Sequence, residues 1–192
     1  MRRACLIPVL LLALTASAQD GTFQILKGGK PVGRIDVKRT EAGGKAVYRM
    51  TSSSSIVVLW THDVRSDMLT EYQGGQLTRC YSTYHVDDEL RDSSYLYTVG
   101  GRPLCYVHPG EVFVGRTDNP WTVARMYYEE PVGQDSIFVE SELRDCPLRA
   151  VGDGRYILSM PNKGTNHYTY RDGVLHEVLV DRTLFNLLFR RT

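Results

Sequence analysis

Asp118-Asn119-Pro120-Trp121-Thr122-Val123-Ala124-Arg125-Met126-Tyr127-Tyr128-Glu129-Glu130-Pro131 differs from everything around it. Asp118 or Asn119 can cap a helix, because a short side-chain oxygen reaches the free N–H groups of a first turn. Pro120 fits the first helical position, where a missing N–H costs nothing. Trp121, Ala124 and Tyr128 then fall on one face, with Val123 and Tyr127 beside them. Pro131 forbids continuation and pushes Glu130 out of the helical region. The spacing predicts one short helix with an aromatic face, and such a face needs a sheet to lie against.

The sequence on either side supplies that sheet. Thr22 to Lys27 alternates, with Phe23 and Ile25 on one face, and Gly28-Gly29-Lys30-Pro31 is turn chemistry. In Gly33 to Arg39, Ile35 and Val37 point one way and Arg34, Asp36 and Lys38 the other, as in a sheet with one wet face. After Ala42-Gly43-Gly44, a strand over Lys45 to Thr51 places Ala46, Tyr48 and Met50 together. Ser52 to Ser55 reads as a polar break. Ile56 to Val64 reads as the next strand, with Ile56, Val58, Trp60, His62 and Val64 on one face. Gln73-Gly74-Gly75 turns into Gln76 to Val86, and Asp87-Asp88-Glu89 connects to the run of Tyr95, Tyr97 and Val99. Gly100-Gly101 leads to Leu104 to Val107, then Pro109-Gly110, then Glu111 to Val114.

Beyond the helix, Ser136 to Ser141, Arg155 to Met160 and Asn166 to Arg171 read as strands. Asp172-Gly173 between two alternating runs favours a two-residue hairpin turn. Val174, His176, Val178 and Val180 line one face of the strand that follows. Thr183 to Arg190 closes the chain, with Phe185, Leu187 and Phe189 on one face of a strand. Leu184, Leu187, Leu188 and Arg191 also fit a terminal helix. The fold class is therefore mainly β: a curved antiparallel meander, half-barrel or open barrel, with one short helix packed against it.

The chain starts with a targeting pattern. Arg2 and Arg3 precede an apolar run from Leu6 to Leu14, and Ala16-Ser17-Ala18 matches a signal-peptidase site. The run is short of the ~20 residues a bilayer span needs. The expectation is a signal peptide over residues 1–18, cleaved near Ala18. A single β-rich domain over residues 19–192 then remains, exported to the periplasm or secreted, with no integral span in the mature chain. A transmembrane barrel would need an apolar band on every outer face, which Arg34, Asp36 and Lys38 oppose.

Net charge is +1 over 192 residues, and no basic patch interleaves with aromatics, so composition gives no case for nucleic acid. The 12 tyrosines suit half-buried strands. They also suit a wall that is apolar with hydrogen-bonding tips. Cys80, Cys105 and Cys146 are an odd set once Cys5 is removed. The Gly100-Gly101 turn sets Cys105 opposite Leu96 and leaves Cys80 a strand further away. Two strand spacings exceed disulfide reach, so the reading is buried free thiols.

No motif carries catalysis, a metal or a cofactor. His62-Asp63 and Ser66-Asp67 hold the residue types of a triad but no Gly-x-Ser-x-Gly elbow. His85 with Asp87, Asp88 and Glu89 lacks the glycine and spacing of a calcium loop. His176-Glu177 lacks the second histidine of a zinc helix. Glu129-Glu130 puts two carboxylates at the helix end that disfavours them. The protein is read as not an enzyme.

Three blocks carry a resemblance. They are Ile25-Leu26-Lys27-Gly28-Gly29-Lys30-Pro31-Val32-Gly33, then Ala124-Arg125-Met126-Tyr127-Tyr128-Glu129-Glu130-Pro131, and last Tyr156 to Met160 with Pro161, Asn166-His167-Tyr168-Thr169-Tyr170 and Gly173. Their order resembles an uncharacterised family of exported β-rich proteins of Gram-negative bacteria. That family is similar in outline to the half-barrels that carry lipoproteins or lipids across the periplasm. The resemblance implies a fold and a ligand class, and transfers no residue-level role.

Two functions follow. The first is a carrier that holds a hydrophobic or amphipathic, lipid-like ligand between sheet and helix, with Trp60, Trp121, Tyr127, Tyr128 and Tyr168 as its wall or lid. It requires an elongated apolar cavity. The second is an envelope protein–protein interaction or assembly module, which requires a filled core and an exposed apolar patch.

Overall fold

The structure is a computed structural model that describes residues 17–192 except 58, 100, 101, 109, 116–120, 162, 183 and 184. The described residues do not include most of the leader pattern, nor Val58, Gly100, Gly101, Asp118, Asn119 and Pro120, so the readings placed on them lie outside it.

Eight strands come first: β1 (Ser17–Lys27), β2 (Lys30–Ala42), β3 (Lys45–Val57), β4 (Thr61–Gln73), β5 (Gln76–Val86), β6 (Glu89–Val99), β7 (Arg102–His108) and β8 (Glu111–Val114). The helix α1 (Val123–Met126) follows. Six more strands complete the chain: β9 (Ser136–Val139), β10 (Arg144–Gly152), β11 (Arg155–Ser159), β12 (Thr165–Arg171), β13 (Val174–Asp181) and β14 (Asn186–Arg191).

The fourteen strands of the described residues form one sheet, in the order β8-β7-β6-β5-β4-β3-β2-β1-β14-β13-β12-β11-β10-β9. Every pairing is antiparallel. The first and last strands meet in mid-sheet, where Ile25 opposes Phe189. The edges are β8 and β9, which are neighbours in the chain. The sheet thus curls towards closure without closing, and the connection that carries α1 lies at the opening. The mainly β class with one short helix is what the alternating runs implied.

The pleat sorts the faces. Phe23, Ile25, Ile35 and Val37 are buried, while Arg34 pairs with Asp36, and Arg49 with Asp67, on the wet side. Residues in register make two inner rows. Tyr48, Thr70, Cys80, Leu96 and Cys105 cross β3 to β7. Tyr156, Tyr168, Val178, Phe189 and Ile25 cross β11 to β14 and reach β1. An apolar inside and a charged outside are the reverse of a porin-like barrel. Among the described residues no helix is long and apolar enough to cross a membrane.

Several strand readings need correction. Ser52 to Ser55 is no break: β3 runs through it, because Ser52 and Ser66 share a 2.7 Å cross-strand hydrogen bond and Ser55 donates to Asp63. The hairpin instead reverses between Val57 and Thr61, so the proposed strand Ile56 to Val64 straddles a turn. Arg144–Gly152 is a strand the alternation did not reveal, since its burial is patchy after Leu148. On β13 a bulge opposite Thr169 and Tyr170 shifts the pattern, and Leu175 and Val178 point inward together. The closing segment is strand, not helix, over Asn186–Arg191.

The helix is also shorter than its sequence pattern. Thr122 is its N-cap, with extended backbone and a side chain that accepts from the Arg125 N–H. Trp121 precedes the helix, Tyr127 is its C-cap, and Tyr128 lies in the turn beyond. Phe138 N–H donates to the Trp121 carbonyl at 2.9 Å, which ties this segment to β9 before a helix can begin.

Candidate functional site

The helix segment occupies the inside of the curled sheet. Met126 is fully buried, and Val123, Ala124 and Tyr127 nearly so. Val123, Met126 and Tyr127 join Phe23, Ile25, Ile35, Val37 and Leu158 in one core cluster. Ala124 joins Tyr48, Tyr72, Leu77, Cys80, Leu96 and Cys105 in a second. Two arms of the sheet therefore meet on the two faces of one short turn of helix.

Hydroxyl groups hold this plug at both ends. Tyr72 donates to Thr122 Oγ1 at 3.0 Å. Tyr170 donates to the Met126 carbonyl at 2.6 Å, which satisfies a helix-end acceptor. Tyr156 donates to Glu130 Oε1 at 2.8 Å. These rings pack as core and their hydroxyls bond the chain itself, so the tyrosine-rich wall is real and faces its own polypeptide. Glu129 is half-buried and receives Arg125 Nη2 at 2.7 Å, with Arg39 3.6 Å away. It is neither a free solubilising charge nor a free ligand group.

Sequence reasoning missed the hub of this arrangement. Glu140 is 0% exposed. Its carboxylate accepts from the Val123 N–H at 3.1 Å, the Ala124 N–H at 3.0 Å and the Thr70 hydroxyl at 2.9 Å. Its backbone carbonyl accepts from Ser94 at 2.6 Å. One residue thus joins β4, β6 and the end of β9 to the start of α1. The two amides are orphan donors of a first helical turn, which favour an anionic acceptor. Burial acts the other way and is the larger effect, so the carboxyl group titrates above the ordinary glutamate range. Nothing in the run Ile137-Phe138-Val139-Glu140 sets this glutamate apart from a strand-end surface charge.

The five sequence-selected aromatics separate. Tyr127 and Tyr168 are core residues, and Trp121 and Tyr128 are half-buried against the same cluster. The Phe23 and Tyr127 rings meet edge to face with centroids 5.2 Å apart. The Arg125 guanidinium lies 4.3 Å from the Trp121 ring centroid. Trp60 is elsewhere, 63% exposed at the β3–β4 turn.

That turn belongs to a rim where strand ends gather. Val57 is 58% and Leu59 83% exposed. Lys27 on β1 donates its ammonium to the Val57 carbonyl and stands 5.4 Å from the Phe185 ring. Lys27, Lys30, Val32, Val57 and Phe185 line an open cleft of about 710 Å³. His62 bonds Asp87 at 2.7 Å, which holds the Asp87 carboxyl below its usual range. Ser66 bonds Ser52, and Asp67 receives Arg49 and Tyr81, so the residue types of a triad are dispersed among unrelated partners. Among the described residues no group of His, Cys, Asp and Glu could hold a metal ion.

Cys80, Cys105 and Cys146 are free and buried. Cys80 and Cys105 flank Leu96 from opposite sides, as the turn count required. Burial pushes the Cys105 and Cys146 thiols up to about 11, away from nucleophilic character.

Residues 23–192 match the family described as Domain of unknown function (DUF6134). The chain belongs to this family. No curated protein matches it. Among solved structures it is similar to the crystal structure of a beta-barrel-like protein of Domain of Unknown Function DUF1849 from Brucella abortus. The identity is 11% and the TM-score 0.57, over 94% of this chain and 98% of the other. That likeness shows a common barrel-like fold, which agrees with the curled, helix-plugged sheet of this DUF6134 member.

Proposed function

We propose that this DUF6134 protein is an exported, non-enzymatic binding module that works through its outer surface. Of the two functions read from the sequence, the interaction module is the better supported. The observation that carries it is the placement of Val123, Ala124, Met126 and Tyr127, all within 8% exposure, where a carrier would keep its ligand. An acyl chain between sheet and helix would have to displace that segment together with its bonds to Glu140, Tyr72 and Tyr170. Among the described residues the most exposed large apolar side chain is Leu59, and with Val57 and Trp60 it makes an apolar rim open to a partner. Contiguous exposed apolar residues beside polar neighbours mark contact sites.

The test is a photo-crosslinking amino acid at position 59 or at position 126, in the protein expressed in its own cells. The module gives a reproducible adduct from position 59 and only intramolecular products from position 126. An apolar small molecule captured at position 126 would return the function to the carrier. No adduct from position 59 would remove the rim as the contact surface.

A further inference from the structure

The outer face of β2 to β4 is charged, with Arg34 paired to Asp36 and Arg49 to Asp67. On β5 to β7 the same face turns aromatic. Tyr81, Tyr95 and Tyr106 oppose one another directly across these three strands. Their ring centroids are 6.2 and 6.3 Å apart, with planes tilted by 28° and 37°. Tyr97 and Leu104 are the next outward pair, two residues along each strand. Cross-strand aromatic pairs stabilise a sheet, which accounts for the row of three. It does not account for Tyr97, which stands between Arg79 and Leu104 and is 47% exposed.

A cleft of about 250 Å³ lies among Tyr95, Tyr97, Leu104, Cys105 and Tyr106. Cys105 is buried in the inner row, so the side-chain walls of the cleft are three tyrosines and a leucine. The cleft sits at the end of the barrel away from the rim, since β6 leaves the rim at Glu89 and ends at Val99. No charged residue lines it: Arg79, in register with Tyr97, and Asp67, which accepts from the Tyr81 hydroxyl at 3.2 Å, stand at its border. The hydroxyls of Tyr95, Tyr97 and Tyr106 bond no other described residue.

These walls suit a ligand that is apolar across its faces and polar around its edge. The cleft is too small for a folded partner, which engages ~20–30 residues a side. An acyl chain would cover the three hydroxyls without bonding them, which costs free energy. A sugar ring of the gluco configuration meets both demands. Its hydroxyls are equatorial, so its two faces are C–H surfaces and its edge is a ring of donors and acceptors. The C–H groups carry a small positive charge and are drawn to the negative faces of aromatic rings.

We propose that this cleft binds an uncharged, gluco-configured sugar ring of an oligosaccharide or polysaccharide, with Tyr97 and Leu104 against its C–H faces and the Tyr95 and Tyr106 hydroxyls at its edge. The site is separate from the rim, and each stands or falls without the other.

Saturation-transfer NMR of the full chain with cellohexaose, and with the hexamer of N-acetylglucosamine, tests the site. Saturation of the protein is expected to reach the ring C–H protons of at least one of the two. A hexamer of galactose, whose axial hydroxyl interrupts one face, is expected to respond more weakly. Tyr97→Ser is expected to weaken the binding about tenfold at an unchanged urea midpoint, because Tyr97 is exposed. Tyr106→Phe keeps the ring, deletes one hydroxyl, and is expected to cost about fivefold. Should Tyr97→Ser fail to fold, Tyr106→Phe decides alone.

No transfer to either oligomer overturns the site. Binding that survives both substitutions unchanged also overturns it, since the sugar then sits elsewhere. With no sugar signal, a concentration-dependent dimer that Tyr97→Ser dissolves assigns the cleft to a second copy of the chain in place of a sugar.

Discussion

The inside of the barrel and its rim use the same kinds of residue in opposite ways. Inside, Tyr127, Tyr168, Met126 and Leu158 are enclosed, and the polar atoms of the plug meet Glu140, Tyr72 and Tyr170. At the rim, Val57, Leu59 and Trp60 have water on most sides. An aromatic or aliphatic side chain signals a binding role only where the fold leaves it unenclosed, since enclosed ones are accounted for by packing. Substitutions at the two places should therefore read out differently: stability inside, contact at the rim.

The largest effect is expected at Glu140. Glu140→Ala leaves two helix amides and the Thr70 hydroxyl without their acceptor in a buried site, and should cost about 4 kcal/mol by urea denaturation. A loss below about 1 kcal/mol would show that the plug is not held this way. Met126→Ala comes next. It opens a void at the centre of the plug, and a buried Met→Ala change costs about 2–5 kcal/mol. If the chain keeps its stability and takes up an apolar dye, the interior is a pocket after all.

The pH profile sharpens the contrast. The Glu140 carboxyl titrates higher folded than unfolded, so between the ordinary value of 4.5 and its folded value the folded chain holds the extra proton. Its contribution to stability is complete below that window and is lost as pH rises through it. Glu140→Gln should lower stability at acid pH and flatten this decline, measured as urea midpoints from pH 4 upward. An unchanged slope would place the titration elsewhere.

Smaller still is Tyr170→Phe, which keeps the ring and deletes one hydrogen bond to the Met126 carbonyl, for about 1 kcal/mol. The smallest stability change belongs to the rim. Leu59→Ser with Trp60→Ser should stay within about 0.5 kcal/mol of the natural chain while removing the position-59 contact. A large loss there would make the rim part of the folding core and dissolve the comparison.

Much of the sheet was legible because its turns announce themselves. Asp172 and Gly173 take φ of 51° and 74°, the left-handed pair that a two-residue hairpin needs and that this dipeptide adopts most easily. Between such turns, alternation gave the inward faces of β1 and β2 directly. It failed where polarity misled. The serines of β3 look like a break, yet they bond across to β4. The apolar run after them looks like one continuous buried strand, yet β3 ends at Val57 and β4 begins at Thr61. Alternation has no term for an exposed apolar tip, so Trp60 was grouped with the interior aromatics. The pairing of β1 with β14 is a long-range choice that no local pattern encodes. Glu140 was silent for the same reason, because its meaning lies in Val123, Ala124 and Thr70, residues far away in sequence.

The central claim is that the protein's own helix segment, and no ligand, fills the barrel. Native mass spectrometry of the protein, purified gently from its own cells, tests this directly. The expected spectrum is that of the polypeptide alone, unchanged by incubation with phospholipids in detergent and identical for Trp121→Ala and Tyr128→Ala. A reproducible, stoichiometric apolar adduct that these two substitutions remove would contradict it, and would place the working site inside the barrel.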